Sequence, residues 1–516
     1  MRLLFPLLFS CLILFACQNK TAPEQAQLGH IELNVTGDQA ALPHFERGLL
    51  LLHNFEYEDA RTHFQKAKKF DPDMAMAYWG EAMTYNHTLW ASQYTDEARE
   101  VLNELDPSAE GRVAKASTDI ERDFIRAVNI LYSEEIEEKL ERDVAYNAFM
   151  QEMYKTYDES HEVAAFYALS VLGSSPERDA DTYGRGAIVV KGILAENPTH
   201  PGALHYLIHS YDDPEHAHLA LDAANNYSKV AADAGHALHM PSHIYVALGM
   251  WDEVISSNIA SFAATDQRRI DQELEADARN YHALEWLMYG YLQRGQADTA
   301  RQLLDDMMGY LDEKPSPRAR GYALMMQAGY LANTGDWNDP IAEKVIDISE
   351  LNVVFSGVSS FVKGMGAYHS KDMRLLNETI DSMQARRISE SKRLMTRGAS
   401  MCSGLSWFTQ LPTQTEINQS EIMEMELRAM QAYAMGDIVQ AHEWFEKAVE
   451  LEENTSYTFG PPVVVKPSFE MYAEFLFNLG EYEKAQKYVD MALEKTPGRR
   501  IPVLLKSQLE QKLNAI

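Results

Sequence analysis

Between His200 and His243 lie eight of the chain's seventeen histidines: His200, His205, His209, His216, His218, His236, His239 and His243. Two pairs in this stretch, His205 with His209 and His239 with His243, are spaced i, i+4. On a helix that spacing sets two imidazoles on one face, about 6 Å apart. Two such rings can chelate one first-row metal ion, and a neighbouring helix packed roughly 8–10 Å away can supply a second pair. His205, His209, His239 and His243 are therefore the candidate metal ligands, with Zn or Cu as the candidate ion and Ni also suited to imidazole. The zincin pattern HExxH is absent, because His161-Glu162 is followed by Val163, Ala164 and Ala165. A catalytic metal would thus need ligands from separate helices. No phosphate-cradling glycine loop, GxSxG elbow or Cys/His hydrolase signature occurs. Two other uses of the cluster stay open. It can form a hydrogen-bond network with Tyr206, Tyr211 and Tyr245 that fixes helix packing, or line a pocket for a peptide or small ligand without metal. His216 and His218 fall in the turn PEHAH, where solvation is expected, and His30, His44, His63, His161, His369 and His442 belong to no such pattern.

The elements that must hold these side chains are helices. From Leu42 onward apolar residues recur at helical spacing, with no sustained alternating pattern. The stretch HFERGLLLLHNFEYEDARTHFQKAKKFDP matches the tetratricopeptide repeat (TPR), a helix–turn–helix unit of about 34 residues. Gly48, Tyr57, Ala60, Phe64, Ala67 and Pro72 take its positions 8, 17, 20, 24, 27 and 32. A second unit opens at Ala75. The register returns with Pro198 closing a unit from Tyr167, then runs through contiguous units at 201–234 and 235–268 and another at 281–314, followed by a looser one from Gly321. Two clear units, 422–455 and 466–499, close the chain. The expectation is an all-α fold, an α-solenoid of TPR repeats wound into a right-handed superhelix, because no unit can bury its apolar face alone. In this register positions 2, 5, 9, 12 and 13 of each first helix line the concave groove. His205 and His209 take positions 5 and 9 of one unit, and His239 and His243 take the same positions of the next. His236 and His282 sit at position 2, His53 and His87 at position 13. Trp79, Met83, Asn86, Glu285 and Tyr289 share the expected lining, and Glu285 is its one obvious carboxylate.

Pro241 falls inside an expected first helix, where it kinks the chain and frees carbonyls near His236 and His239. Asn454 to Pro467, with paired prolines and three valines, reads as an extended segment against the superhelix. A formal charge of −31 argues against nucleic acid and anionic membrane as partners. The apolar run from Leu3 to Ala16 after Arg2 reads as a secretion signal, too short to span a bilayer. Its end, Leu14-Phe15-Ala16-Cys17, resembles the lipobox of bacterial lipoproteins, which implies cleavage before Cys17 and lipidation of that residue. Gln18 favours the outer membrane, with the anchor facing periplasm or exterior. Cys402 is left without a disulfide partner. The expected organisation is a signal peptide (1–16), lipidated Cys17 and flexible tether (17–40), N-terminal repeats (41–102) and an irregular helical insert (103–166). A central histidine-rich array (167–345), a degenerate helical segment (346–421), and C-terminal repeats with a capping helix (422–516) follow.

With HFERGLLLLHNFEYEDARTHF, DPDMAMAYWGEAM, FYALSVL, HPGALHYLIHSYDDPEHA and HALHMPSHIYVALGMWDEVISSN in view, the chain resembles a bacterial family of TPR proteins. It is more distantly similar to the eukaryotic tetratricopeptide repeat protein 38 group. The resemblance runs from about Phe45 to Arg500 and implies the fold, not an activity. Two functions follow as expectations. One is a non-enzymatic, lipid-anchored scaffold of the cell envelope that captures a protein, peptide or small ligand in a His/aromatic groove. The other is a metal-binding lipoprotein or metal-dependent hydrolase using the same histidines.

Overall fold

A computed structural model of the chain describes residues 27–90, 92–175, 180–397, 412–456 and 459–514. Cys17 and Cys402, and the expected signal peptide, lie outside these residues. Apart from one two-stranded turn (Asn86–His87 with Ser92–Gln93), the described residues form helices and their connections. The first repeat is α1 (Leu42–His53) with α2 (Tyr57–Phe70). Phe64 of α2 is fully buried in the space that Gly48 and Gly80 leave by lacking a Cβ. After α3 (Ala75–Met83) the chain departs from the repeat through α4 (Thr95–Leu105), α5 (Ala109–Lys115), α6 (Asp119–Leu131) and α7 (Lys139–Thr156). Thr118 and Glu121 close a capping box at the start of α6, so this insert has sharply defined ends.

Antiparallel pairing resumes with α8 (His161–Gly173) and α9 (Ala180–Glu196), then α10 (Pro201–Ser210) and α11 (Leu221–Val230). The next first helix is broken at Pro241 into α12 (Gly235–His239) and α13 (Pro241–Ala247), as expected from a residue without an N–H, and it pairs with α14 (Trp251–Asp271). α15 (Tyr281–Gln293), α16 (Ala297–Glu313) and α17 (Pro317–Thr334) follow. The stretch expected to be degenerate contains a full hairpin, α18 (Val353–His369) and α19 (Met373–Arg397). α20 (Gln414–Ala434), α21 (Ile438–Glu453), α22 (Ser468–Leu479), α23 (Tyr482–Lys495) and the capping helix α24 (Arg500–Leu513) complete the array. No helix among the described residues is long and apolar enough to cross a membrane.

Two hydrophobic cores run through the array and meet at α15. That helix gives Trp286 and Tyr289 to the first core and Tyr281, Leu284, Met288 and Leu292 to the second. Long-range contacts then tie both ends of the chain to its middle. Residues 27–31, expected within a flexible tether, are docked instead. Leu28 and Ile31 are buried, Asn54 donates to the Leu28 carbonyl (3.1 Å), and the His30 N–H donates to the Thr199 carbonyl (3.0 Å). From the other end, Trp251 Nε1 donates to the Gly498 carbonyl (2.8 Å) and Arg499 donates to the Tyr289 hydroxyl while pairing with Glu470. The segment after α21 packs against α13 and α15, Phe459 on His243 and Gly460 on Trp286, with Val463, Val464 and Val465 buried.

Where that segment enters α22, three carboxyls crowd a dry pocket. Burial pushes Glu426 well above its ordinary range and Glu452 up to about 7, and raises Glu470 against the pull of Arg499. The Ser468 hydroxyl donates to Glu426 (2.9 Å) and its N–H to Glu452 (2.7 Å). A carboxyl raised in the folded state contributes stability that is full below its unfolded value, here 4.5, and is lost as pH rises through about 7. Stability of the chain, followed by urea unfolding, should therefore fall by on the order of 2 kcal/mol between pH 4.5 and 7.5 from Glu452, after allowance for its partial exposure. Glu452→Gln should flatten that slope. An unchanged slope would refute the assignment.

Candidate metal centre

The histidines at positions 5 and 9 come from α10 and from the kinked α12–α13 pair. α10 is buried along its whole length. Its N-cap is His200, whose Nδ1 accepts the Ala203 N–H (3.1 Å), with Pro201 in the first turn where a missing N–H costs nothing. In the next unit the break at Pro241 leaves the His239 carbonyl to accept the Ser242 hydroxyl (2.6 Å), which holds the two short helices in line. His282 enters from α15, whose N-cap Asn280 accepts the Ala283 N–H (3.1 Å).

Two triads result. His205 Nε2 lies 3.2 Å from His209 Nε2 and 3.2 Å from His236 Nε2. His239 Nε2 lies 3.1 Å from His243 Nε2, and His282 completes that group with one nitrogen within 4.8 Å of both. The four residues expected to share one ion are thus divided. Each i, i+4 pair turns to a position-2 histidine of the following unit rather than to the other pair, whose nearest rings, His209 and His243, are 5.6 Å apart between centroids. A third grouping, His209 with Asp212 and His243, links the triads.

The far side of each ring decides what its Nε2 can do. His239 Nδ1 faces Asn258 Oδ1 at 2.7 Å, and Asn258 Nδ2 donates to the Val254 carbonyl (2.8 Å), so the amide oxygen must accept and His239 carries its proton on Nδ1. His243 Nδ1 is 2.5 Å from the buried Asp212 carboxylate, which likewise accepts. Both Nε2 atoms are then left with in-plane lone pairs aimed at each other across 3.1 Å. That arrangement is repulsive unless a proton or a metal cation sits between them. Tetrahedral Zn with N ligands at 2.0–2.1 Å spaces those ligands about 3.3 Å apart, close to the separations here. Asp212 behind His243 and Asn258 behind His239 are the outer partners that metal-bound imidazoles keep.

Burial first, and mutual repulsion of the rings second, push His205, His236, His239 and His282 well below the ordinary imidazole value, so these rings are neutral and competent as ligands. The surroundings are aromatic. Phe55 lies 4.2 Å from His205, Trp286 lies 4.5 Å from His243, and Phe459 of the segment after α21 lies 5.2 Å from His243, centroid to centroid. Gly460 packs so tightly on Trp286 that a Cβ would stand 2.2 Å from the indole, at a positive φ only glycine adopts readily.

The other expected lining residues fall elsewhere. His53 is fully buried and belongs to a separate brace, where its Nε2 donates to Glu162 (2.6 Å) and its Nδ1 accepts from the Tyr206 hydroxyl (2.9 Å). His200 donates to the same carboxylate (3.1 Å). Burial disfavours the Glu162 anion, yet the two imidazoles hold its carboxyl well below the usual range. Every ring nitrogen there is engaged, so the group is a brace and not a chelate. It also sets the tautomer next door, since the His53 carbonyl, one of the last of α1, accepts the His205 Nδ1–H (2.8 Å). Trp79 is core, wedged between Phe124 and Phe166. Met83 and Asn86 line a small cavity with Asp143 and Tyr146. His87 stacks on Tyr57 (4.1 Å) and is pushed down to about 4 by burial. Glu285, pushed up to about 8 by burial, lines a cavity with Tyr289, Pro461 and Pro462. Asp212, Asn258, Ser242 and Glu162 were not anticipated. Asn258 did carry a signal, because it takes position 24, which Phe64 and Phe445 hold in other units.

No protein-family profile matches the chain, and no curated protein matches it. Among solved structures it is similar to the human IFIT1 dimer with m7Gppp-AAAA (10% identity, 93% of this chain and 96% of that one, TM-score 0.38). Yeast Tom70 is a second (12%, 92% and 96%, 0.33) and Ypp1 a third (9%, 92% and 86%, 0.40). At these values nothing is carried over from those proteins, and the helical-repeat fold stands on the helix pairs themselves.

The brace yields a direct test. Glu162→Gln leaves the shape and removes the buried charge that orders both imidazoles, and urea unfolding should show a loss of about 3 kcal/mol. A change below about 0.5 kcal/mol would mean that the brace does not hold α1, α8 and α10 together.

Proposed function

We propose that this protein is a helical-repeat binding protein of the bacterial cell envelope, anchored through lipidated Cys17, that holds a transition metal ion at His239, His243 and His282. What carries the reading is one observation: His239 and His243 both commit Nδ1 to acceptors, and their Nε2 atoms face each other at 3.1 Å. Neutral imidazoles suit Zn or Cu, and three nitrogen ligands leave one position for water or an exchangeable ligand. His282 is only half-buried, which leaves a way in for the ion.

An open groove that grips a peptide at these histidines has less support, because the chain's own Phe459 lies against His243 and Gly460 against the neighbouring Trp286. A protein or peptide partner is left to the rest of the concave surface that solenoids offer. Glu285, the carboxylate expected in the lining, lines a cavity with Pro461 and Pro462 and is not placed as a general base for hydrolysis.

The full chain purified without a polyhistidine tag should contain Zn or Cu by elemental mass spectrometry. After chelation, returning the ion at about 100 times its Kd should stabilise the protein by about 2.7 kcal/mol. His243→Ala should abolish that gain, and Asp212→Asn should weaken binding about 10- to 100-fold. The absence of both bound metal and a thermal shift would overturn the reading and leave a proton shared between His239 and the His243–Asp212 pair.

A further inference from the structure

The second triad is not a solitary arrangement. Positions 5 and 9 of the unit at 235, with position 2 of the unit at 281, give His239, His243 and His282. The same three positions one repeat earlier give His205, His209 and His236. We infer that the chain binds two transition metal ions, one at each of these successive repeat interfaces. This rests on the metal reading above and extends it to a site with its own evidence.

That evidence is a crowding of ring nitrogens around a fixed tautomer. The His53 carbonyl can only accept, so His205 carries its proton on Nδ1 and presents Nε2 as a lone pair. Two further imidazole nitrogens, His209 Nε2 and His236 Nε2, approach that one atom at 3.2 Å each. A ring nitrogen has a single in-plane lone pair and cannot accept two well-aligned hydrogen bonds. A cation can be shared by all three nitrogens where a hydrogen bond can serve only two, and the spacing fits N ligands about 3.3 Å apart around tetrahedral Zn. Phe55 and Tyr227 flank His205, whereas His236 is half-buried beside the exposed ring of Trp90.

The two interfaces also share a part. Asp212 follows α10, the helix of the first triad, yet its Oδ2 takes the Nδ1–H of His243 in the second. Its Oδ1 is buried and has no hydrogen-bond partner. His209, Asp212 and His243 each offer a ligand atom within 4.8 Å of the others. The carboxylate therefore stands between the two positive charges and offsets their repulsion, which would otherwise penalise the second ion in a dry interior.

The test is a count. Chelator-stripped full chain, without a tag, is titrated with Zn2+ by calorimetry and with Co2+ by visible absorption. Two equivalents are expected, falling to one in His236→Ala and His236→Gln and to one in His282→Ala, with the remaining site changed less than about tenfold in affinity. One equivalent in the unaltered chain that His282→Ala removes, or two retained in both His236 variants, overturns the two-ion inference while leaving the proposed function standing. One equivalent that His282→Ala leaves in place overturns both. Zero equivalents in the unaltered chain overturns both. Far-UV circular dichroism checks the variants, and the count in the unaltered chain decides even where a variant fails to fold.

Discussion

Two imidazole nitrogens held 3.1 Å apart, each with a ring proton committed on the opposite side, form a contact that needs a proton or a cation between them. Neutral rings avoid presenting lone pairs to each other, and burial removes the water that would separate them. Much of the surrounding structure serves to keep this contact in place. The i, i+4 spacing sets His239 and His243 on the same side, Asn258 and Asp212 fix their tautomers, and Trp286 excludes solvent from one flank. In a low-dielectric interior these fixed dipoles act more strongly on a cation than they would in water.

The brace built on Glu162 uses the same residue type for an opposite purpose. There each ring nitrogen has one partner of the right kind, and the carboxylate is flanked by two donors. His53 joins the two arrangements, because its side chain belongs to the brace while its backbone carbonyl orients His205. A histidine's role thus follows from what faces its second nitrogen, which neither its spacing nor its burial reveals.

That distinction bounds what could be read from the sequence. The repeat register, the helix pairs and the concentration of histidines at positions 5 and 9 were legible, since close pairing of helices demands small and aromatic residues at fixed offsets, such as Gly48 and Phe64. The division of the four expected ligands into two triads was not, because which way an i, i+4 pair turns depends on superhelical offset between units. Position 13 misled for His53, whose carboxylate partner arrives from an insert-bounded helix more than a hundred residues away. Trp79 illustrates a commoner limit: a groove position in a regular array becomes core once α6 and α8 pack over it. The docking of residues 27–31 also went unseen, because Leu28 and Ile31 sit in a polar stretch with no periodicity.

Repeat arrays ordinarily gain stability from neighbour to neighbour, so that an end can fray or be trimmed without consequence for the middle. The bond from Trp251 to Gly498 and the contact of Arg499 with Tyr289 remove that independence here. Loop closure over more than two hundred residues must be accomplished before these contacts form, which raises contact order and slows folding relative to an open solenoid of the same length. It also makes unfolding more nearly all-or-none. Loss of the last two repeats would therefore be felt at α15, and through it at the histidines, although no residue of α23 or α24 is among the candidate ligands.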